Sequence, residues 1–222
     1  MSADPPRPSR GQRRRTVLSA AREVFVAQGY HAASMDEIAE RSGVSKPVLY
    51  QHFAGKLELY LALLDEACDA LTEAVQEALA STTVNRDRAL ATAEAYFRFT
   101  DDEAGAFRLV FESDLTSEPQ VRERLARVTD VCVDAVSGLI RADAGLDEQQ
   151  ARLLAAGLVG LQQHAARWWL TQERPVPLED AAGLVASVAW RGLRRLPAAD
   201  GEPEERSAPG ERAAGAAGGA AG

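Results

Sequence analysis

A chain of 222 residues, 46% hydrophobic and 26% charged, can bury a sizeable core as one large domain or as a small domain joined to a larger one. No apolar run approaches the ~18 residues of a membrane span, and the Arg-rich start has no apolar stretch behind it. Two distant cysteines and three histidines argue against a disulfide framework or a zinc site, so a cytoplasmic protein without a metal is expected. The net charge of −8 is unevenly divided: residues 1–56 hold nine Arg/Lys against five Asp/Glu, and the rest holds 16 against 28. A basic first quarter that suits DNA precedes an acidic body that DNA repels.

Ala, Leu, Arg and Glu dominate and aromatics make up only 6%, a helical composition with no strand alternation or repeat. Residues 1–10 read as a disordered arm. Val17, Ala21, Val24 and Phe25 share one face of a first helix that ends near Gly29. Ser34 is a good N-cap with Glu37 three residues on, a capping-box pattern, and Gly43 should stop that second helix. Ser45 is expected to cap a third, with Pro47 tolerated in its first turn. A long fourth helix is predicted over 54–80, with Leu57, Leu61, Leu64, Leu71, Val75 and Leu79 as its stripe. Further helices are predicted near 87–100, 103–113, 119–142, 147–173 and 178–195, separated by "SEPQ", "ADAGLDE" and "ERPVPLED" among others. Residues 197–222 contain no large apolar side chain and should be a disordered tail. The expectation is an all-α protein of about nine helices. A three-helix helix–turn–helix unit over 11–56 leads into a ligand-binding and dimerisation bundle over 57–196.

A helix–turn–helix needs a steep crossing joined by about three residues, often through a left-handed Gly. Gly43 supplies that turn, Ala39 allows close approach, and Ile38, Val44, Leu49 and Phe53 can close a small core. Lys46, Pro47, Val48, Tyr50, Gln51 and His52 are then left around the outer and leading surfaces of the third helix, suited to major-groove edges. Ser34, Ser45, Tyr50, His52 and Lys56 are placed to hold phosphates.

The stretch "GYHAASMDEIAERSGVSKPVLYQHFAGKLELYLALL" resembles the DNA-binding domain of the TetR family of transcriptional regulators over about residues 13–64. It departs at Pro47, where many members carry Gly or a small residue, so an operator sequence cannot be carried over. "FRLVFESDLTSEPQV" and "GLVGLQQHAARWWL" extend a resemblance to FasR-type regulators of fatty-acid biosynthesis in high-GC bacteria across most of residues 13–196. That resemblance implies a homodimer on a double-stranded operator, control of lipid-synthesis genes, and a long-chain acyl-CoA effector rather than a bound cofactor.

TetR-like bodies enclose a ligand cavity, and an acyl tunnel needs apolar walls. Leu71, Leu79, Tyr96, Phe97 and Phe107 are the candidate walls, although such clusters also serve simply as core. Arg98, Arg108, Arg122 and Arg124 are candidates for a coenzyme A head. Leu154, Gly157, Leu158, Leu161, Ala165 and Trp168 recur at helical spacing, as do Leu184, Val188 and Gly192. Small residues among large ones permit close helix approach, and the resemblance assigns these two helices to an intersubunit four-helix bundle. No catalytic set or phosphate loop stands out, so an enzyme is not expected. A drug- or metabolite-responsive repressor of an efflux operon, and a helical adaptor or small enzyme without DNA binding, are the alternative readings.

Overall fold

The computed structural model describes residues 9–102, 105–111, 115 and 117–193; the arm and tail expected at the two ends therefore lie mostly outside the described residues. In chain order the helices are α1 (Arg10–Ala32), α2 (Met35–Ser42), α3 (Lys46–His52), α4 (Lys56–Ala80), α5 (Asn85–Thr100), α6 (Ala106–Phe111), α7 (Pro119–Ala144), α8 (Glu148–Thr171) and α9 (Leu178–Leu193). None of the described helices is long and apolar enough to cross a membrane.

The first three helices close around the side chains that the spacing singled out. Val17, Ala21, Val24 and Phe25 of α1, Ile38 and Ala39 of α2, Leu49 of α3 and Phe53 are all buried, with Val44 packed against them. α1 does not stop at Gly29. That residue turns left-handed (φ 76°) and the helix resumes for one short turn to Ala32. The N-cap of α2 forms as expected, its Ser34 hydroxyl accepting from the Glu37 amide at 3.1 Å. The Glu37 carboxylate instead accepts from Gln28 of α1 at 2.7 Å and lies 3.6 Å from Arg41, one turn on in its own helix. Gly43 adopts the left-handed conformation, and amides 43 and 44 donate to the carbonyls of Glu40 and Ala39, the two bonds of a Schellman motif. Ser45 precedes α3 in extended conformation but makes no side-chain cap, and Pro47 stands in the first turn, where its missing donor has no consequence.

α4 is the spine. Leu59, Leu63, Leu64 and Leu71 are almost wholly buried, each contributing about 1.5–3 kcal/mol of burial. It packs against α1, α5, α6 and α7, while α5 lies on α9 and α7 on α8. α7 ends at left-handed Gly145, and α8 starts with a complete capping box between Asp147 and Gln150. The DNA-binding unit also meets the body where the turn before α6 passes α1. A Cβ on Gly105 (φ 75°) would lie 2.6 Å from Cγ2 of Val26, so only glycine fits that approach.

Candidate nucleic-acid interface and effector cavity

On α3 the side chains of Lys46, Pro47, Tyr50 and Gln51 are exposed and those of Val48 and His52 half-buried, so the predicted reading surface is presented together. Lys46 does not extend freely: its ammonium pairs with Asp36 of α2 at 2.7 Å, and both side chains are more than half exposed. Such a pair is worth little in water and is readily exchanged for another anion. Ser34 and Ser45 are exposed beside it, and the Ser34 hydroxyl keeps its own proton to donate while it caps α2.

Lys56, expected at a phosphate, is engaged within the protein. Its ammonium donates to the carbonyls of Tyr30 (2.8 Å), His31 (3.2 Å) and Ala33 (2.8 Å) and sits 4.5 Å from the centre of the Tyr30 ring. All three donors are thereby occupied at the carbonyl end of α1, where a cation is favoured. Tyr30 and Phe25 in turn pack edge-on against Tyr60 of α4. Lys56 joins the DNA-binding unit to the spine instead of facing outward.

The body holds a partly open cavity of about 240 Å³ between α4, α5, α7, α8 and α9. Leu79 and Tyr96 line it as expected, together with Val75, Cys132, Ile140, Leu158 and Trp190. Leu71 and Phe97 do not. Leu71 turns into the α4 core, and Phe97 is buried edge-on against Trp169 at 5.5 Å. The side chain of Phe107 lies outside what is described. Burial raises the pKa of Tyr96 and of Cys132, the thiol to about 11, so these two lining groups stay neutral.

The sequence reading missed the polar end of this cavity. Arg88 donates from Nε to the carbonyls of Leu79 (3.1 Å) and Thr82 (2.7 Å), and from a terminal nitrogen to the Asn85 side chain (3.0 Å). The Asn85 amide nitrogen donates to Asp143 at 2.6 Å. None of the four arginines proposed for a ligand head lines the cavity. Arg98 pairs with Glu94 and Arg124 with Asp65, each at 2.7 Å. The signal available in the sequence was the interrupting segment "STTVNRDR" itself, whose Asn85 and Arg88 open α5.

Of the residues expected at a dimer face, Gly157, Trp168, Leu184, Val188 and Gly192 are exposed. Leu154, Leu158 and Ala165 are half-buried against the core, as Leu161 is half-buried on the same helix. The apolar stripe facing outward on α8 instead includes Leu153, which is 75% exposed. With Trp168, Leu184 and Val188 it leaves four large apolar side chains in contact with solvent on α8 and α9. A Cβ at Gly157, Gly160 or Gly192 would meet nothing within 4 Å, leaving room for another helix to approach.

Residues 17–63, which contain all of α2 and α3, match the family described as bacterial regulatory proteins, tetR family. Across 188 residues the chain is 49% identical to the HTH-type transcriptional activator FasR of Mycolicibacterium smegmatis, covering 85% of this chain and 86% of that protein. The chain belongs to the TetR family. It is a DNA-binding transcriptional regulator and not an enzyme. Among solved structures, a TetR-like transcriptional regulator from Rhodococcus sp. RHA1 superposes with TM-score 0.67 at 26% identity, covering 86% of this chain and all of that one. The transcriptional regulator FadR of Bacillus subtilis, solved in complex with stearoyl-CoA, has TM-score 0.65 at 18% identity over 79% of this chain and 96% of its own, a likeness of fold.

Proposed function

We propose that this TetR-family protein controls genes of fatty-acid or lipid biosynthesis and that a long-chain acyl-CoA is its effector. The observation that carries the reading is the largely apolar cavity with one polar, charged end, in a chain 49% identical to FasR over most of its length. An acyl tail suits walls such as Val75, Leu79 and Ile140, and a polar thioester and stem suit the hydrogen-bonding end formed by Asn85, Arg88 and Asp143. The stearoyl-CoA held by the Bacillus subtilis FadR supports this chemistry for a body of the same fold.

In this proposal α8 and α9 of two copies pack together through Leu153, Gly157, Trp168, Leu184 and Val188, and each copy places α3 in a major groove of a near-palindromic operator. Lys46 leaves Asp36 to meet a base edge, Pro47, Val48 and Gln51 line the groove, and Ser34, Ser45, Tyr50 and His52 hold backbone. At about 240 Å³ the cavity is smaller than the ~300–1,000 Å³ of pockets that enclose drug-sized ligands, so a long tail must enlarge it. α9 is the element that yields. Its Ala189 and Trp190 line the cavity while Leu184 and Val188, on its other side, belong to the dimer face. Filling the cavity then changes the packing of the two copies and the spacing of the two reading heads, to the extent that the ligand binds one packing better.

Native mass spectrometry of the protein, purified without detergent, tests the effector directly. A co-purified or added acyl-CoA with a tail of about 16–20 carbons should stay bound at one per protomer. Retention of short-chain and long-chain species alike would contradict an acyl-measuring cavity, and binding of aromatic cations in their place would indicate an efflux-type regulator.

A further inference from the structure

The start of α1 carries Arg10, Arg13, Arg14 and Arg15 within six residues, and no carboxylate occurs in the sequence between Asp4 and Glu23. Cations at a helix start face the positive end of its dipole, an arrangement that opposes helix stability. The other arginines of this unit are neutralised: Arg22 meets Glu66 at 3.2 Å, and Arg41 lies 3.6 Å from Glu37 and 3.8 Å from Glu23. Among the described residues, Arg10, Arg13 and Arg15 have no ion-pair partner, and Arg14 approaches Glu66 only at 4.0 Å while its guanidinium covers the Phe53 ring. Nε of Arg13 is buried with no hydrogen-bond acceptor.

These charges are not scattered around the helix. Arg10 and Arg13 share one recess of about 430 Å³ with Val48, Gln51 and His52 of α3, so they lie flush with the reading helix on its far side from Asp36 and Lys46. A recess with two guanidinium groups, an amide and an imidazole, and a single aliphatic wall, suits a sugar–phosphate backbone better than a lipid surface or an apolar peptide. We infer that Arg10 and Arg13 form a second DNA contact, clamping the phosphate backbone beside the major groove that α3 enters. The clamp reads no bases. It rests on the DNA-binding function of the chain and sets how much of its affinity is independent of sequence and sensitive to salt. A local excess of positive charge that the fold leaves uncompensated is then balanced by phosphates on binding.

The test is fluorescence polarisation with the full-length protein between 50 and 200 mM salt, on two duplexes of equal length. One is selected by this protein from a random library and the other has the same bases shuffled. For Arg10→Gln/Arg13→Gln, the slope of log affinity against log salt should fall by about 0.9 for each lost contact, hence about 1.8 per protomer. That makes the variant roughly tenfold less sensitive per bound protomer over this fourfold range of salt, and about 150-fold where both copies of a dimer bind, on both duplexes alike. Arg10→Lys/Arg13→Lys should keep the parent slope. An unchanged slope in a Gln pair that melts like the parent would overturn the clamp, and so would a loss confined to the selected duplex, which would mean base readout. If the Gln pair melts lower, the same slopes are compared for Arg10→Gln alone, whose side chain is exposed. A parent that fails to discriminate the two duplexes would count against sequence-specific readout, while the slopes would still decide the clamp.

Discussion

Lys56 shows how a residue type can be right for one role and used for another. A lysine at the start of a helix that follows a reading helix is well placed for phosphate, yet its ammonium is triply bonded to the end of α1. Lys56→Met should therefore lower stability by at least the ~1.5–3 kcal/mol of one hydrogen bond to a charged group, read by urea denaturation. The salt slope of its DNA binding should stay at the parent value; a drop of about one unit without loss of stability would restore the phosphate assignment. The two thiols offer a second residue-level check. Burial lifts Cys68 to about 12, with Asp65 and Asp69 adding to the effect, and lifts Cys132 to about 11. A raised thiol pKa means less thiolate at any pH below it, about one part in a thousand for Cys132 near pH 8. Maleimide labelling of the folded protein should be very slow at pH 8 and rise steeply toward pH 11. Rapid labelling of Cys132 at pH 8 would mean that the cavity is wet and open.

At the scale of elements, the helix boundaries legible in the sequence were those set by local chemistry. Ser34 and Gly43 bracket α2 because a cap and a left-handed glycine act within a few residues, and Asp147 with Gln150 starts α8 for the same reason. Tertiary choices were less legible. Glu37 abandons a capping box for Gln28 and Arg41, and Leu71 and Phe97 turn into the core because facing helices, not periodicity, decide which side of a stripe is hollow. The outward stripe of α8 is similarly hard to read from spacing alone. Both Leu153 and Leu154 fit a helical stripe, and only packing against the rest of the body distinguishes the exposed from the covered leucine. Leu158, expected at the dimer face, also lines the cavity. The dimer is therefore best tested on α9, with Leu184→Glu/Val188→Glu, since both side chains are more than 60% exposed in the single chain. The variant should fold with the parent's melting curve, sediment as a monomer and bind operator weakly, because charges buried in a helix–helix face without partners are strongly unfavourable. A folded variant that remains dimeric would place the interface elsewhere.

Across the whole molecule, one helix links the DNA-binding unit to the cavity. α4 begins at the Lys56 clasp on α1, runs through the core, and ends where Val75 and Leu79 wall the cavity and the Leu79 carbonyl receives Arg88. In the proposed reading a change in the cavity reaches the DNA-binding unit through this single element, while α9 carries it to a partner copy. If the cavity is the sensor, occupying it with protein should mimic neither the empty nor the filled state but abolish the distinction. Leu79→Phe places an aromatic ring in that space, and filling a real void should cost less than the ~1–3 kcal/mol of overpacking a closed core. The decisive measurement is polarisation of the selected duplex titrated with long-chain and short-chain acyl-CoA, for the parent and for Leu79→Phe. The parent should respond to long-chain acyl-CoA at far lower concentration than to short-chain, because each buried methylene contributes about 0.8 kcal/mol, while Leu79→Phe should bind the duplex and ignore both. Equal responses to the two chain lengths in the parent, or an undiminished long-chain response in Leu79→Phe, would contradict the account.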